Sequence, residues 1–349
     1  MYQSRLKRFR ELMDENNCQG FIVSHPANMY YLSGFSGEGV LFIDVERQII
    51  LTDGRYLEAA AAECPGFEAR QTSDQNLVEL SGGSKKVGIE STHVTYQRFQ
   101  TWQRIIGEKL QPQAALIEQL RSVKDESEID LIREAVHIGD QVYLTILPML
   151  QPGISERAVA LEIDHQLKLM GCDKEAFETI VISGRRTSMP HGKPSEKEIE
   201  KGELVTMDFG GFYRCYAGDM TRTVAVGKSC SRTRSMYGRV LEAQLEAIAT
   251  VEAGRTCREV DEAARRVFKK YELDSYFLHS TGHGLGLEIH EMPAVSSRSE
   301  TVLKENMVIT IEPGVYLQDW GGVRIEDVVL VKSGGHQVLT KSGKDLVVT

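Results

Sequence analysis

Hydrophobic and polar positions change period several times along the first third of the chain. In residues 1–17, MYQSRLKRFRELMDENN, three- and four-residue spacings put Leu6, Phe9, Leu12 and Met13 on one side of an amphipathic helix. Residues 20–24 (GFIVS) then read as a strand, and a turn-rich stretch follows through Tyr31 and Gly37. Two short apolar runs come next, Val40–Ile43 and Gln48–Thr52, with a helical segment near Tyr56–Glu63. A strand at Lys86–Ile89 and a helix over Thr95–Lys109 complete the pattern. Strands separated by helices predict a small α/β layer domain.

At Arg121 the pattern breaks into the polar stretch RSVKDESEID, where Ser127 or Asp125 is placed to cap a long helix running toward Leu150. The domain boundary is therefore expected near residue 122, with domains at 1–122 and 123–349. Beyond it the chain repeats weakly. QPGISERAVALEIDHQLKLMG begins at Gln151 and EAGRTCREVDEAARRVFKKYE at Glu252, aligning Gly153 with Gly254, Ser155 with Thr256 and Val159 with Val260. Each copy is a helix pair followed by glycine-punctuated strands. Two such copies predict a pseudo-symmetric domain, a sheet wrapped by helices with a site near its centre.

Composition narrows the partners. A hydrophobic fraction of 41% fills a core without disulfide staples, and the formal net charge of −9 argues against nucleic acid or anionic membrane as partner. The six cysteines include no CxxC pair, and no signal-like apolar segment opens the chain. No run of eighteen apolar residues occurs, so a cytoplasmic protein with reduced thiols is expected.

The candidate chemistry lies in carboxylates that interrupt apolar strands. GELVTMDFGGFYRCYAGDMTRTVAVG, from Gly202, reads as hairpin material with Asp208 on one strand and Asp219 on the returning one. A carboxylate among Val205, Met207 and Phe209 is costly to bury unless a cation compensates it. MVITIEPGVY and GGVRIEDVVLV repeat the arrangement, with Glu312 on the face of Val308 and Thr310, and Glu326 two residues from Arg324. Four half-buried carboxylates converging on one place repel one another strongly without a cation. Charge balance then favours two divalent ions, completed by a bridging hydroxide and a neutral histidine.

HSTGHGLGLEIHEMP, from His279, supplies three histidines within twelve residues, and its glycines can aim both His283 and His290 inward. It contains neither GxxxxGKS/T nor GxGxxG, and Ala294 stands where HExxH would need a second histidine. His191 lies in another loop, SGRRTSMPHGKPS. No GxSxG elbow or helix-start cysteine supports covalent nucleophilic catalysis.

In this order the residues resemble the pita-bread metallopeptidases: aminopeptidase P, prolidase (Xaa-Pro dipeptidase) and methionine aminopeptidase. The family's ligand order Asp, Asp, His, Glu, Glu falls on Asp208, Asp219, His283, Glu312 and Glu326, and the match runs from about Phe177 to Asp327. An α/β domain ahead of the catalytic one, with NMYYLSGF and TDGRY, resembles the proline-directed branch. The resemblance implies an α/β (α+β) chain, a small N-terminal domain followed by a pita-bread catalytic domain. It also implies an exopeptidase cutting between an N-terminal residue and proline, by attack of a metal-bridging hydroxide, in a homodimer acting on short peptides.

By the same resemblance Glu312 relays a proton and His290 steadies the oxyanion. His191 holds the substrate near proline, and Arg324 orients a neighbouring acid. Four oxygen donors and one nitrogen, with no thiolate, suit Mn²⁺ or Co²⁺, and also admit Zn²⁺ or Fe²⁺. Arg298, fourteen residues before Glu312, fits the place of a carboxylate-reading arginine in prolidase-like sequences, with a solvated loop arginine as the equal alternative. Dipeptidase and aminopeptidase P stay open, as do a methionine-type specificity and a catalytically silent binding module on the same fold.

Overall fold

The computed structural model describes residues 2–349. Contacts divide the chain into two compact units, one reaching Arg121 and the other Ser122–Thr349.

The first unit holds helices α1 (Tyr2–Glu15), α2 (Pro26–Ser33), α3 (Leu57–Glu63), α4 (Asp74–Ser81), α5 (Tyr96–Ile106) and α6 (Leu116–Ser122). Its strands are β1 (Gly20–Val23), β2 (Val40–Asp44), β3 (Gln48–Thr52), β4 (Glu68–Gln71), β5 (Val87–Glu90) and β6 (Leu110–Gln113), in sheet order β4-β3-β2-β1-β5-β6. β2 runs antiparallel to β1 and β3, while β1–β5, β5–β6 and β3–β4 are parallel. Ile22, Phe42, Leu51, Ile89 and Trp102 fill a core against this sheet.

Where the sequence pattern predicts only turns, the chain forms α2. Pro26 begins it, and Gly34 ends it in the left-handed region at φ 82°. The buried Glu90 carboxylate accepts from the Ser24 and His25 backbone N–H groups at 2.7 and 2.9 Å, placing an anion where the helix starts.

The second unit carries α7 (Glu126–Ile146), α8 (Glu156–Leu169), α9 (Ser231–Thr250) and α10 (Cys257–Lys270). Its first strands are β7 (Lys174–Glu175), β8 (Ile180–Ser183), β9 (Leu204–Phe209), β10 (Gly211–Tyr213), β11 (Tyr216–Ala217) and β12 (Met220–Ala225). Then come β13 (Gly282–Gly284), β14 (Glu291–Val295), β15 (Val308–Ile311), β16 (Gly314–Leu317), β17 (Gly321–Arg324), β18 (Asp327–Lys332) and β19 (Gly335–Val338). Two sheets of order β12-β9-β8 and β14-β13-β15-β18-β19 form its centre. Asp125 caps α7 in a reciprocal capping box with Glu128.

The internal repeat is visible in backbone detail. Gly153 and Gly254 both sit at φ 96°, and Ser155 and Thr256 cap α8 and α10 through the N–H groups of Ala158 and Glu259. Gly153 N donates to Ile199 O and Gly254 N to Leu303 O, at 2.9 and 2.8 Å. A buried acid on each second helix then pins the chain leading toward the centre. Glu156 accepts from the Ser183 N–H and hydroxyl, and Asp261 from those of Thr281. Each acid is fully buried, and these bonds, with ion pairs from Arg186 to Glu156 and Arg265 to Asp261, offset its desolvation. Among the described residues no helix is long and apolar enough to cross a membrane.

Candidate active site

The hairpin expected to carry Asp208 and Asp219 is interrupted. β9 ends at Phe209, the short strands β10 and β11 intervene, and Asp219 stands directly before β12. β9 and β12 still pair antiparallel, with Asp208 opposite Thr221, so the excursion brings the second aspartate back beside the first strand. The β15–β18 and β16–β17 pairings are likewise two stretches of one long hairpin, broken at Glu312–Pro313 on one strand and Ile325–Glu326 on the other. Glu312 and Glu326 both occupy this break, where side chains are released from strict alternation.

Asp208, Asp219, His283, Glu312, Arg324 and Glu326 all line one cavity of about 510 Å³, together with His191 and His290. Asp219 is 6% exposed and Glu326 1%. Burial first, then the neighbouring carboxylates, pushes both of their pKa values well up. Glu312 is raised to about 8, chiefly by burial.

His283 faces this group in a defined tautomer. Its Nδ1 lies 3.0 Å from Gly284 O and donates there, leaving the Nε2 lone pair 3.6 Å from Asp219 Oδ2 and 3.4 Å from Glu312 Oε1. Burial lowers its pKa to about 4, so the ring is neutral at pH 7. A neutral imidazole nitrogen facing two carboxylate oxygens is a donor set that suits a divalent cation.

The residues present fit a metal. Asp219, His283 and Glu326 each offer a ligand atom, all within 4.8 Å of one another. Asp208 Oδ1 and Glu326 Oε1 are buried and meet no hydrogen-bond donor among the described residues. In an oxygen-rich, thiolate-free pocket such atoms are natural partners for a divalent cation.

One protein cation serves these acids directly. Arg324 Nη2 donates to Asp208 Oδ2 at 2.5 Å, Nε to Thr221 Oγ1 at 3.0 Å, and Nη1 to Tyr316 Oη at 2.8 Å and Pro190 O at 3.3 Å. The sequence leaves Glu326 or a neighbouring acid as the partner of Arg324, and the guanidinium lies against Asp208. Thr221 Oγ1 donates instead to Glu326 Oε2 at 2.6 Å. Arg222, on the other face of β12, bonds the Glu326 carbonyl and meets Asp327 Oδ1 at 2.8 Å, fixing the backbone at the break.

His290 lies edge-on to His283 with ring centroids 4.4 Å apart, and His191, from a separate loop, lines the same cavity. The glycines of β13 and its bulged pairing with β14 are what bring both rings of the second segment inward. Arg298 is exposed and does not line the cavity. A turn closed by Ser299 N on Ser296 O carries its segment to the start of α10, where Arg258 N donates to Ser299 O.

Two residues at the site are given no role by the pattern reading, His279 on the cavity wall and Tyr316 behind it. His279 Nε2 lies 2.8 Å from Tyr316 Oη and Nδ1 2.8 Å from Ser280 O, and burial lowers its pKa to about 4. Tyr316 links it to Arg324, but on β16 it reads as one more core aromatic.

Residues 130–333 match the model of metallopeptidase family M24, and residues 5–123 that of the creatinase/prolidase N-terminal domain. The chain belongs to metallopeptidase family M24. The Xaa-Pro dipeptidase of Pyrococcus furiosus is 38% identical over 348 residues, covering 99% of this chain and 100% of that one. A solved structure of an Xaa-Pro dipeptidase from Bacillus anthracis superposes with a TM-score of 0.97 at 38% identity, covering 100% of both chains. An X-Pro aminopeptidase structure from Thermotoga maritima gives a TM-score of 0.91 at 33% identity, covering 99% of both. The family and fold expected from the ligand motifs hold, and the chain is a metallopeptidase.

Proposed function

We propose that this M24 enzyme is a dinuclear-metal exopeptidase that hydrolyses the bond between an N-terminal residue and proline. The observation that carries the reading is His283, a neutral imidazole aimed between the buried Asp219 and the half-buried Glu312, whose pKa values are both raised. The names of relatives on both the dipeptidase and aminopeptidase sides support the proline preference.

In this reading Asp208, Asp219, His283, Glu312 and Glu326 would hold two divalent ions, Mn²⁺ or Co²⁺ before Zn²⁺ or Fe²⁺. When bound, such ions acidify an attacking water and polarise the scissile carbonyl. Glu312 Oε1 faces Thr310 Oγ1 and His283, so Oε2 is the oxygen assigned to take the proton of that water and return it to the leaving nitrogen. His290 would donate to the developing oxyanion, and His191 would hold the proline side. Arg324 would keep Asp208 oriented. Phe177, Ile180, Pro190, Ile289 and Ala294 give the cavity apolar wall against which a proline ring can pack. A tertiary amide brings no N–H into this wall, so its burial leaves no donor unpaired.

A cytoplasmic homodimer belongs to the same reading and is checked by fractionation and sedimentation. The deciding assay compares Xaa-Pro, Xaa-Pro-Yaa and Met-Ala peptides on metal-stripped protein reloaded with each ion. Cleavage of proline substrates that depends on added metal is expected; Met-Ala cleavage without proline cleavage would overturn the specificity.

A further inference from the structure

The cavity's basic side chains differ in what they can do for an incoming ligand. Arg324 is engaged on every nitrogen, His279 on both ring nitrogens, and His283 between carboxylates. Arg298, the arginine that the sequence offers as carboxylate reader, lies outside the wall.

Lys193 is placed differently. It lines the cavity two residues beyond His191, and its Nζ meets Glu178 Oε2 at 2.7 Å. Both side chains of this pair are largely exposed, at 74% and 66%, so the pair is weak and its carboxylate is open to exchange. The stem is nonetheless anchored. Arg186 Nη2 donates to Lys193 O at 2.6 Å, and Arg186 Nε is held by the buried Glu156 at 3.1 Å. An anchored backbone with an exchangeable ammonium is what a carboxylate reader needs.

The pair also stands at a junction. A second groove of about 560 Å³, containing Arg157 and Asp164, shares Phe177, Thr179, Pro194 and the Lys193–Glu178 pair with the catalytic cavity. The pair therefore borders both spaces, so a ligand extended from the cavity into the second groove would run beside it.

We propose that Lys193 reads the free carboxylate that follows proline in a dipeptide, exchanging Glu178 for it, and so sets the enzyme's preference for substrate length. This rests on the Xaa-Pro reading above. The carboxylate's source is the substrate's own C-terminus, and Glu178 competes with it for the same ammonium.

The test compares kcat/KM for an Xaa-Pro dipeptide with that for its C-terminal amide, using the metal-loaded full chain. Lys193→Met should lower the dipeptide-to-amide ratio about tenfold through KM, the scale of one charge-assisted bond at a wet site. Lys193→Arg should keep most of the ratio, and Glu178→Gln should raise it by freeing the ammonium. A ratio unmoved in Lys193→Met, or lowered in Glu178→Gln, overturns the proposal. If the unaltered enzyme cleaves neither compound, the Xaa-Pro reading itself falls. Both side chains are at the surface, so the variants are expected to fold, and circular dichroism confirms it.

Discussion

Lys124 Nζ stands 3.2 Å from Glu291 Oε2, with side chains only 1% and 5% exposed. Lys124 lies one residue before the cap of α7, and its N–H donates to Asn306 O. Glu291 follows His290, and its other oxygen accepts from Glu288 N at 3.0 Å, closing the turn that presents the imidazole. Removing one member of a buried ion pair is costly, at about 3–5 kcal/mol. Lys124→Met is therefore expected to lower the melting temperature sharply and weaken activity through His290. Equal melting temperatures for Lys124→Met and the unaltered chain would refute the pairing's role.

Arg324 and Asp208 define a second prediction. The guanidinium reaches Asp208, Thr221, Tyr316 and Pro190 at once, a fork that an ammonium cannot reproduce. Arg324→Lys should keep the fold but cost about 10- to 100-fold in metal affinity or kcat/KM, the usual range for a residue that orients a ligand. Metal content after dialysis and steady-state kinetics measure the two effects. Unchanged values in both would show that Asp208 is held by other means.

The carboxylates make a pH prediction with a definite sign. Glu312 is raised to about 8 in the metal-free protein, and Asp219 and Glu326 are also raised. Each group's folded pKa lies above its unfolded one, so the folded state binds more protons in the window between them. Their contribution to stability is thus full below the ordinary carboxylate range and falls as pH rises toward about 8. The melting temperature of metal-free protein should decline across that window relative to metal-loaded protein. Metal binding near pH 7 should release protons, read from calorimetry in buffers of different ionisation enthalpy. Proton uptake instead of release would contradict the assignment.

The site was more legible in the sequence than its surroundings because each ligand candidate breaks a local rule. An acid in an apolar strand announces an energetic problem that something must solve, and Asp208, Glu312 and Glu326 all do so within a few residues. Features made by distant partners leave no such mark. α2 is started by Glu90, 66 residues from Ser24, so its own sequence shows only Pro26 and turn formers. Tyr316 reads as core until Arg324 and His279 are seen to meet its hydroxyl. Arg298 enters only through the family resemblance, beside the alternative of a solvated loop arginine, and it stands exposed in the turn at Ser296–Ser299. Lys193 reads as ordinary loop until two grooves are found to share it.

Glycines separate packing at the site from packing elsewhere. A Cβ on Gly282 would meet Thr310 O at 1.9 Å, a backbone atom of β15 that cannot swing aside. The same residue precedes His283, so relief of the clash must move the imidazole away from Glu312 and Asp219. Gly282→Ala is expected to lose about 1–3 kcal/mol of stability from overpacking, and metal along with it. Gly139, inside α7, has no atom within 4 Å of a Cβ placed there. Gly139→Ala should therefore stabilise the chain by about 0.4–1 kcal/mol, through the unfolded state, and leave metal content untouched. Thermal melts with metal analysis on both variants check the contrast. A Gly282→Ala protein that retains full metal would show that β13 can retreat from β15 without taking His283 with it.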